Sequence, residues 1–521
     1  MFPSHDPECE KKNRTVIPGP PGTGKTYRLL NHYMTKEIKE NKIDPKKICY
    51  ITFSKSAAEE ATERFEELFP KERLGYIGTM HALGVRELNN VNAKLLKGNS
   101  QWNQFKLYEP MAARLNTDMS IDPITGKVRF KDPILTTRDY AKNKKISINE
   151  AAIQRGMAGW ADIGVAEKID EALTQYKKDT GIIEFYDMIG LFTDKIKTKD
   201  SLYDIIFLDE AQDLNALQWD MFFELEKLAT RSYIAGDDDQ TIYGFQGADA
   251  STFINLEGTI DEQIKSRRVP RSVHRVALNI LDRIGERRKK NWEPRDEEGE
   301  VHHNASMEDI DFTKGKWMIL GRTNKLCEKA TDHLYRQGLR YEYEGDKYLD
   351  KNSMSAYSTW KRLNNGASID SKDVKVMYSF LKVKLGHLKR GFSSGKTLDG
   401  VYSVTLEELK QNHGLLVEGS WEHLDFDEDT KEFMKYLIKN NHDLLKEADI
   451  KIMTLHKSKG KESDNVVLYT DFGADEYQSN FIEGEFEKSP DNEHRLFFVG
   501  VTRTKQRLYL LQSEEGTGYV I

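Results

Sequence analysis

The sequence predicts an α/β protein built on two parallel sheets, each interrupted by a mainly helical insertion. Three observations carry this expectation. Short apolar, β-branched runs alternate with amphipathic stretches. Residues able to do chemistry gather where those runs end. The alternation occurs twice, before about residue 265 and again after it. Parallel strands need helical crossovers and leave their carboxyl ends facing one crevice, so the pattern is that of a doubly wound sheet. At 521 residues the chain also exceeds what one hydrophobic core serves.

The first sheet opens on Thr15–Ile17, which leads into Gly19–Thr26 (GPPGTGKT) and a helix starting near Thr26. Ile48–Phe53 reads as a buried strand, followed by an amphipathic helix with Ser54 as its N-cap. Tyr76–Thr79, Asp204–Leu208 and Ser232–Ala235 are further strands, the last two ending on FLDEAQD and AGDDDQ. Residues 88–184 are polar, helical and aromatic in texture, so they form an insertion between residues 1–87 and 185–265. The second sheet spans 266–349 and 446–521, with strands at Lys316–Leu320, near 341–345, from Ile450, in NVVLYTDF and in LYLLQ. Residues 350–445, helical and lysine-rich, are its insertion.

Bulk properties narrow the class. No apolar stretch approaches the ~20 residues that span a bilayer, and the N-terminus lacks a secretory apolar core. Cys9, Cys49 and Cys327 are scattered, which predicts neither a disulfide framework nor a zinc site and points to a reducing, intracellular, cytoplasmic setting. Net charge is −7. That total argues only weakly against nucleic-acid binding, because a polyanion needs a local basic groove and the acidic runs 296–300 and 425–429 can mask one.

The chemistry lies in a few segments. In Gly19, Pro20, Pro21, Gly22, Thr23, Gly24, Lys25 and Thr26 the glycines let backbone N–H groups turn inward around phosphate oxygens, with a helix N-terminus behind them. Lys25 is expected to reach the β- and γ-phosphates, Thr26 to ligate Mg2+, and Arg28 to join the nucleotide site. Asp209 and Glu210 end a buried run. Alone they could cap a helix; with the phosphate loop upstream, Asp209 is expected to hold the magnesium and Glu210 to polarise the attacking water. Arg268 and Arg503 are candidate cations for the transferring phosphoryl group, with Arg267 and Arg271 competing for the first role. Phe53, Tyr243 and Phe245 stand at or just after strand ends, where rings can stack on bases or simply join the core.

Taken in order, GPPGTGKT, ITFSKSAAEEATERF, GTMHAL, FLDEAQD, AGDDDQTIYGFQGAD, SRRVPRSV, LGRTN, TLHKSKGKE and FFVGVTR resemble the motifs of the UvrD/Rep/PcrA-type superfamily 1 helicases. The resemblance covers both sheet domains, and IIEFYDMIGLF (182–192) is similar to the family segment that re-enters the first. It implies two RecA-like P-loop motor domains that use ATP to move 3′ to 5′ on single-stranded DNA and open duplex at junctions. It also implies that Gln240 couples the γ-phosphate to the DNA site, that Phe245 is the base-stacking aromatic, and that Thr79 and His81 contact the strand. Arg322, Asn324, Thr454 and His456 would grip it from the second domain, and Glu462 would contact the ribose. No obligate protein partner is evident.

The chain departs from the family in several places. No glutamine lies between Met1 and Ile17 to read adenine, Arg267 replaces a stacking tyrosine, and Gln246 replaces an arginine. The second insertion is short, and the chain stops soon after its last motif, leaving no room for a nuclease or a long tail. A nucleic-acid-stimulated switch without processive unwinding, or an RNA-directed motor, are the competing expectations.

Overall fold

The computed structural model describes residues 13–88, 94–96, 99–117, 119–121, 128–130, 132–155, 160–343, 351–439, 448–472, 490–513 and 518–521. Parts of every expected segment except 185–265, Cys9 and most of the stretch searched for an adenine-reading glutamine lie outside them. Twelve strands form two six-stranded sheets, both wholly parallel.

The first sheet contains β1 (Arg14–Pro18), β2 (Ile48–Thr52), β3 (Tyr76–Thr79), β4 (Ile205–Leu208), β5 (Arg231–Gly236) and β6 (Thr259–Ile260), in the order β6-β1-β5-β4-β2-β3. Its inner strands are buried on both faces: every residue of β2 and β4 is inaccessible, as expected for a sheet covered by helices. The consequence is positional. The carboxyl ends of β1, β2, β3, β4 and β5 share one edge, and they carry the phosphate loop, Phe53, the helix starting at Met80, Asp209 and Asp237. Ser54 caps the helix Lys55–Leu68 as expected, its Oγ accepting from the Ala57 N–H at 3.1 Å, worth about 1 kcal/mol.

The second sheet contains β7 (Glu300–Ala305), β8 (Trp317–Gly321), β9 (Tyr341–Tyr343), β10 (Ile450–Thr454), β11 (Ser463–Tyr469) and β12 (Thr504–Leu511), in the order β7-β12-β11-β8-β10-β9. The two edge strands β6 and β7 are absent from the sequence expectation. β6 has only two residues, and β7 reads EVHHNA, with its side chains largely exposed.

The insertions differ in how they are held. In the first, helices Asn99–Tyr108, Pro133–Lys144, Ile148–Gln154 and Trp160–Thr180 enclose their own apolar cluster, including Trp102, Phe105, Ile169 and Leu173. Arg138, 1% exposed, makes paired 2.7 Å bonds to both oxygens of Glu184 and another at 2.7 Å to Asp170, tying this cluster to the segment that re-enters the first lobe. Two short strand pairs also occur there, 94–95 with 182–183 and 119–121 with 128–130. Among its described residues the second insertion shares the core of the second lobe. Trp360, Tyr378 and Leu437 belong to the same apolar cluster as Trp317 and Ile319 of β8, so it rides on the second lobe as one body.

Candidate active site

The phosphate loop is shaped by backbone that other residues resist. Gly22 (φ 77°) and Gly24 (φ 85°) are left-handed, and a Cβ on Gly22 would sit 2.6 Å from both Arg268 Cβ and Ser266 Oγ. That contact is the second lobe leaning on the loop. The Ser266 hydroxyl donates to the Pro21 carbonyl at 2.9 Å, and the Arg267 N–H donates to the Gly22 carbonyl at 2.8 Å. Lys25 Nζ donates to the Gly19 carbonyl at 2.7 Å, and the Thr23 hydroxyl to the Pro20 carbonyl at 2.8 Å. Burial pulls the Lys25 ammonium below its ordinary pKa, against the fields of Asp237, Glu210 and Asp209. Arg28 lies on the outer side of this helix, paired with Asp261 at 2.7 Å and set over the Tyr33 ring.

Beside the loop, the Thr26 hydroxyl donates to Asp209 Oδ2 at 2.6 Å, and the Tyr50 hydroxyl donates to the same oxygen at 2.9 Å. The Glu210 N–H donates to Oδ1 at 2.9 Å. Burial, then the charge of Glu210, raises the Asp209 pKa. A hydroxyl and a carboxylate oxygen side by side form the hard donor set that magnesium takes from protein, so Thr26 and Asp209 fit that ion. Glu210 has φ 55°, a left-handed geometry rare for a residue with a side chain and costly enough to need a reason. Burial alone would raise its pKa; Lys459 and Lys25 outweigh burial and hold it below the ordinary value. Gln212 Nε2 orients it with a 2.6 Å bond to Oε2.

Across the cleft Arg503 is 1% exposed, and its Nη2 donates to Gln240 Oε1 at 2.8 Å. Its Nε bonds the Val499 carbonyl at 2.9 Å, which fixes the fork. Burial, then Arg268, lowers its pKa to about 9, and Glu210 and Asp237 act in the opposite sense, so the guanidinium stays cationic at neutral pH. Gln240 is fixed in turn by a 2.6 Å bond from its Nε2 to Asp237. Arg268 is held at 2.6 Å by Glu462, which Lys505 also pairs at 2.6 Å. Both arginines therefore reach the cleft, and Arg267 lies instead over the Tyr27 ring.

Three groups here escaped the sequence reading. Lys459 bonds Asp213 and the Gln240 carbonyl (2.6 Å) and stands 3.9 Å from Glu210. Lys290, 1% exposed on its side chain, pairs with Asp237, Asp238 and Asp239. Arg287 takes Asp239 through two bonds of 2.7 and 2.8 Å. TLHKSKGKE contains Lys459 and the basic run Arg287–Lys290 faces three aspartates, so charge complementarity was the available signal.

The expected track residues are unevenly placed. Phe53 and Tyr243 are buried and stacked on each other, ring centres 5.0 Å apart, inside an apolar cluster shared with Leu455 and Phe497 of the second lobe. Phe245 is 45% exposed and meets His456 edge-on at 5.4 Å, so rings from the two lobes touch at the surface. His81 packs on Phe185, and Thr79 is buried as the N-cap of Met80–Glu87. Arg322 is held by both oxygens of Glu493 (2.8 and 2.9 Å), Asn324 is exposed at the start of a helix, and Thr454 ends β10.

Comparison with known proteins shows the family. Residues 5–261 match the UvrD/REP helicase N-terminal domain and residues 376–515 the UvrD-like helicase C-terminal domain. The chain belongs to the UvrD-like helicase family. It is 24% identical over 614 aligned positions to the ATP-dependent DNA helicase PcrA of Bacillus subtilis, covering 95% of this chain and 80% of the relative. A probable DNA helicase II homolog of Rickettsia conorii is also 24% identical, over 95% of this chain and 89% of its own length. The PcrA of Leuconostoc citreum is 27% identical over 45% of this chain and only 32% of its own length. In this UvrD-like chain two parallel sheets bring their motif-bearing ends to one cleft. No helix among the described residues is long and apolar enough to cross a membrane.

Proposed function

We propose that the chain is an ATP-driven DNA helicase that steps 3′ to 5′ along single-stranded DNA and opens duplex at the junction. The observation that carries this reading is the 2.8 Å bond from Arg503 in one lobe to Gln240 in the other, beside Asp209 and Glu210. It supplies a cation to a phosphoryl group held by the opposite lobe, so that closure assembles the site and opening dismantles it.

Each residue then has a task. The loop N–H groups and Lys25 hold the β- and γ-phosphates, and Lys25 exchanges its bond to the Gly19 carbonyl for phosphate oxygen. Glu210, kept ionised by Lys459 and Lys25, takes a proton from the attacking water. Arg503 and Arg268 offset charge on the transferring group. Thr26 and Asp209 would hold Mg2+, which when bound neutralises charge on the β- and γ-oxygens. Gln240 joins the nucleotide to the track: its side chain meets Arg503, and three residues on, Tyr243 begins the aromatic stretch that ends at exposed Phe245. Single-stranded DNA crossing both lobes at Phe245 and His456 would feel every closure.

The test is ATP turnover with and without single-stranded DNA. The strand should stimulate it strongly, and Lys25→Ala and Glu210→Gln should abolish it. Equal turnover in both conditions contradicts the reading.

A further inference from the structure

A cavity of about 310 Å³ runs between the lobes beside the two acids. Its lining includes buried Asp213 with half-buried Lys459 and Glu210 beside it; its exposed lining includes Ser56 and Glu60 on the helix Lys55–Leu68. We propose that this cavity is a hydrogen-phosphate site and exit route, through which the product of ATP hydrolysis leaves past the N-terminus of that helix. The proposal rests on the ATPase reading above and adds the path that the product takes.

Four observations support it. The first is position, since Glu210 borders both the phosphate loop and the cavity. The second is charge. Lys457, Lys459 and Lys461 face Glu60, Glu210 and Asp213, and the helix N-terminus behind Ser54 adds positive field. Balanced charge holds a dianion without trapping it, as a product site requires. The third is size, because at ~30 Å³ per water the space takes a tetrahedral oxyanion with several waters.

The fourth is chemical. Asp213 is 2% exposed, and among the described residues nothing donates to its Oδ1. In hydrolysis the bond between the γ-phosphorus and the bridging oxygen breaks, leaving its electron pair on ADP, and a bond to the water oxygen forms. One water proton passes to Glu210 and the other stays on the product as a P–OH group. That hydroxyl is the donor Asp213 lacks, while Lys459 faces the anionic oxygens.

The experiment plugs the mouth without touching the chemistry. Ser56→Trp and Ala57→Phe place bulk in the lining from a solvent-facing helix; Glu59→Trp, exposed on the same helix but outside the lining, is the control. Single-turnover quench measures bond cleavage, a fluorescent phosphate sensor measures release, and hydrolysis in water labelled with heavy oxygen reports how long phosphate is retained. The proposal expects unchanged cleavage in both plugged chains, release slowed about tenfold, and phosphate carrying more than one labelled oxygen. Release keeping pace with cleavage in both plugged chains overturns it, as does an equal delay in Glu59→Trp. A wild-type chain that hydrolyses no ATP defeats the underlying reading instead, and the quench alone reveals that.

Discussion

Replacing Lys290 by methionine should uncouple the two lobes. Lys290 Nζ lies 2.6 Å from Asp237 and 2.9 Å from Asp239 and also bonds Asp238, and all four side chains are at most 1% exposed. Three carboxylates face two side-chain cations, Lys290 and Arg287, so the cluster already carries one excess negative charge. Its aspartates follow β5 of the first lobe; Arg287 and Lys290 follow the helix Arg271–Leu281, which packs on Pro490–Val501 of the second. Methionine keeps the stem but removes the charge, leaving an excess of two in a dry site. Removing one partner of a buried ion pair costs about 3–5 kcal/mol. At an m-value of ~3 kcal/mol/M, this lowers the urea midpoint by about 1–2 M. Far-UV circular dichroism against urea measures it, and Lys290→Met/Asp238→Asn should recover part of the loss because one stranded charge disappears with its partner. A Lys290→Met midpoint within ~0.3 M of wild type, well short of that shift, would refute the reasoning.

Other outcomes follow from the same geometry. Arg503→Ala should retain nucleotide binding while ATP turnover falls about a thousandfold or more, read from steady-state kinetics beside fluorescent-nucleotide titration. Phe245→Ala should weaken single-strand affinity about tenfold, since one stacked base is worth ~1–3 kcal/mol, with DNA-independent turnover retained; anisotropy titration measures it. Acid should loosen the first insertion. Although burial opposes ionisation, Arg138 holds the Glu184 pKa down at about 2 against an ordinary 4.5. A depressed carboxyl pKa stabilises fully above the unfolded value, and the contribution, about 3 kcal/mol, drains as pH falls from about 4.5 towards 2. Urea midpoints across that range should fall in wild type and stay flatter in Glu184→Gln.

The sheets were legible because their inner strands are unbroken apolar runs and the motif residues sit at their carboxyl ends. ICYIT and IIFL could hardly be anything but strands buried on both faces. β7 was not legible because its side chains are largely exposed and polar, and two-residue β6 leaves no periodic trace. Within the site, the loop and the two acids are local patterns, each readable from a few neighbouring residues. Lys459 and Lys290 are not, since their meaning depends on partners 246 and 53 positions away that meet only when the lobes pack together. For Phe53 and Tyr243 the ambiguity is chemical instead. A ring at a strand end reads equally as platform or core, and here the two rings cover each other.

The central claim is that one cleft shared by two lobes turns ATP hydrolysis into movement along a single strand. The most direct test is strand displacement from duplexes with a 3′ or a 5′ single-stranded tail, in the presence of ATP and magnesium. The account predicts displaced strand from the 3′-tailed duplex, little from the 5′-tailed one, and none from either with Glu210→Gln. ATP consumption with no displaced strand on either tail, or displacement favouring the 5′ tail, would contradict it.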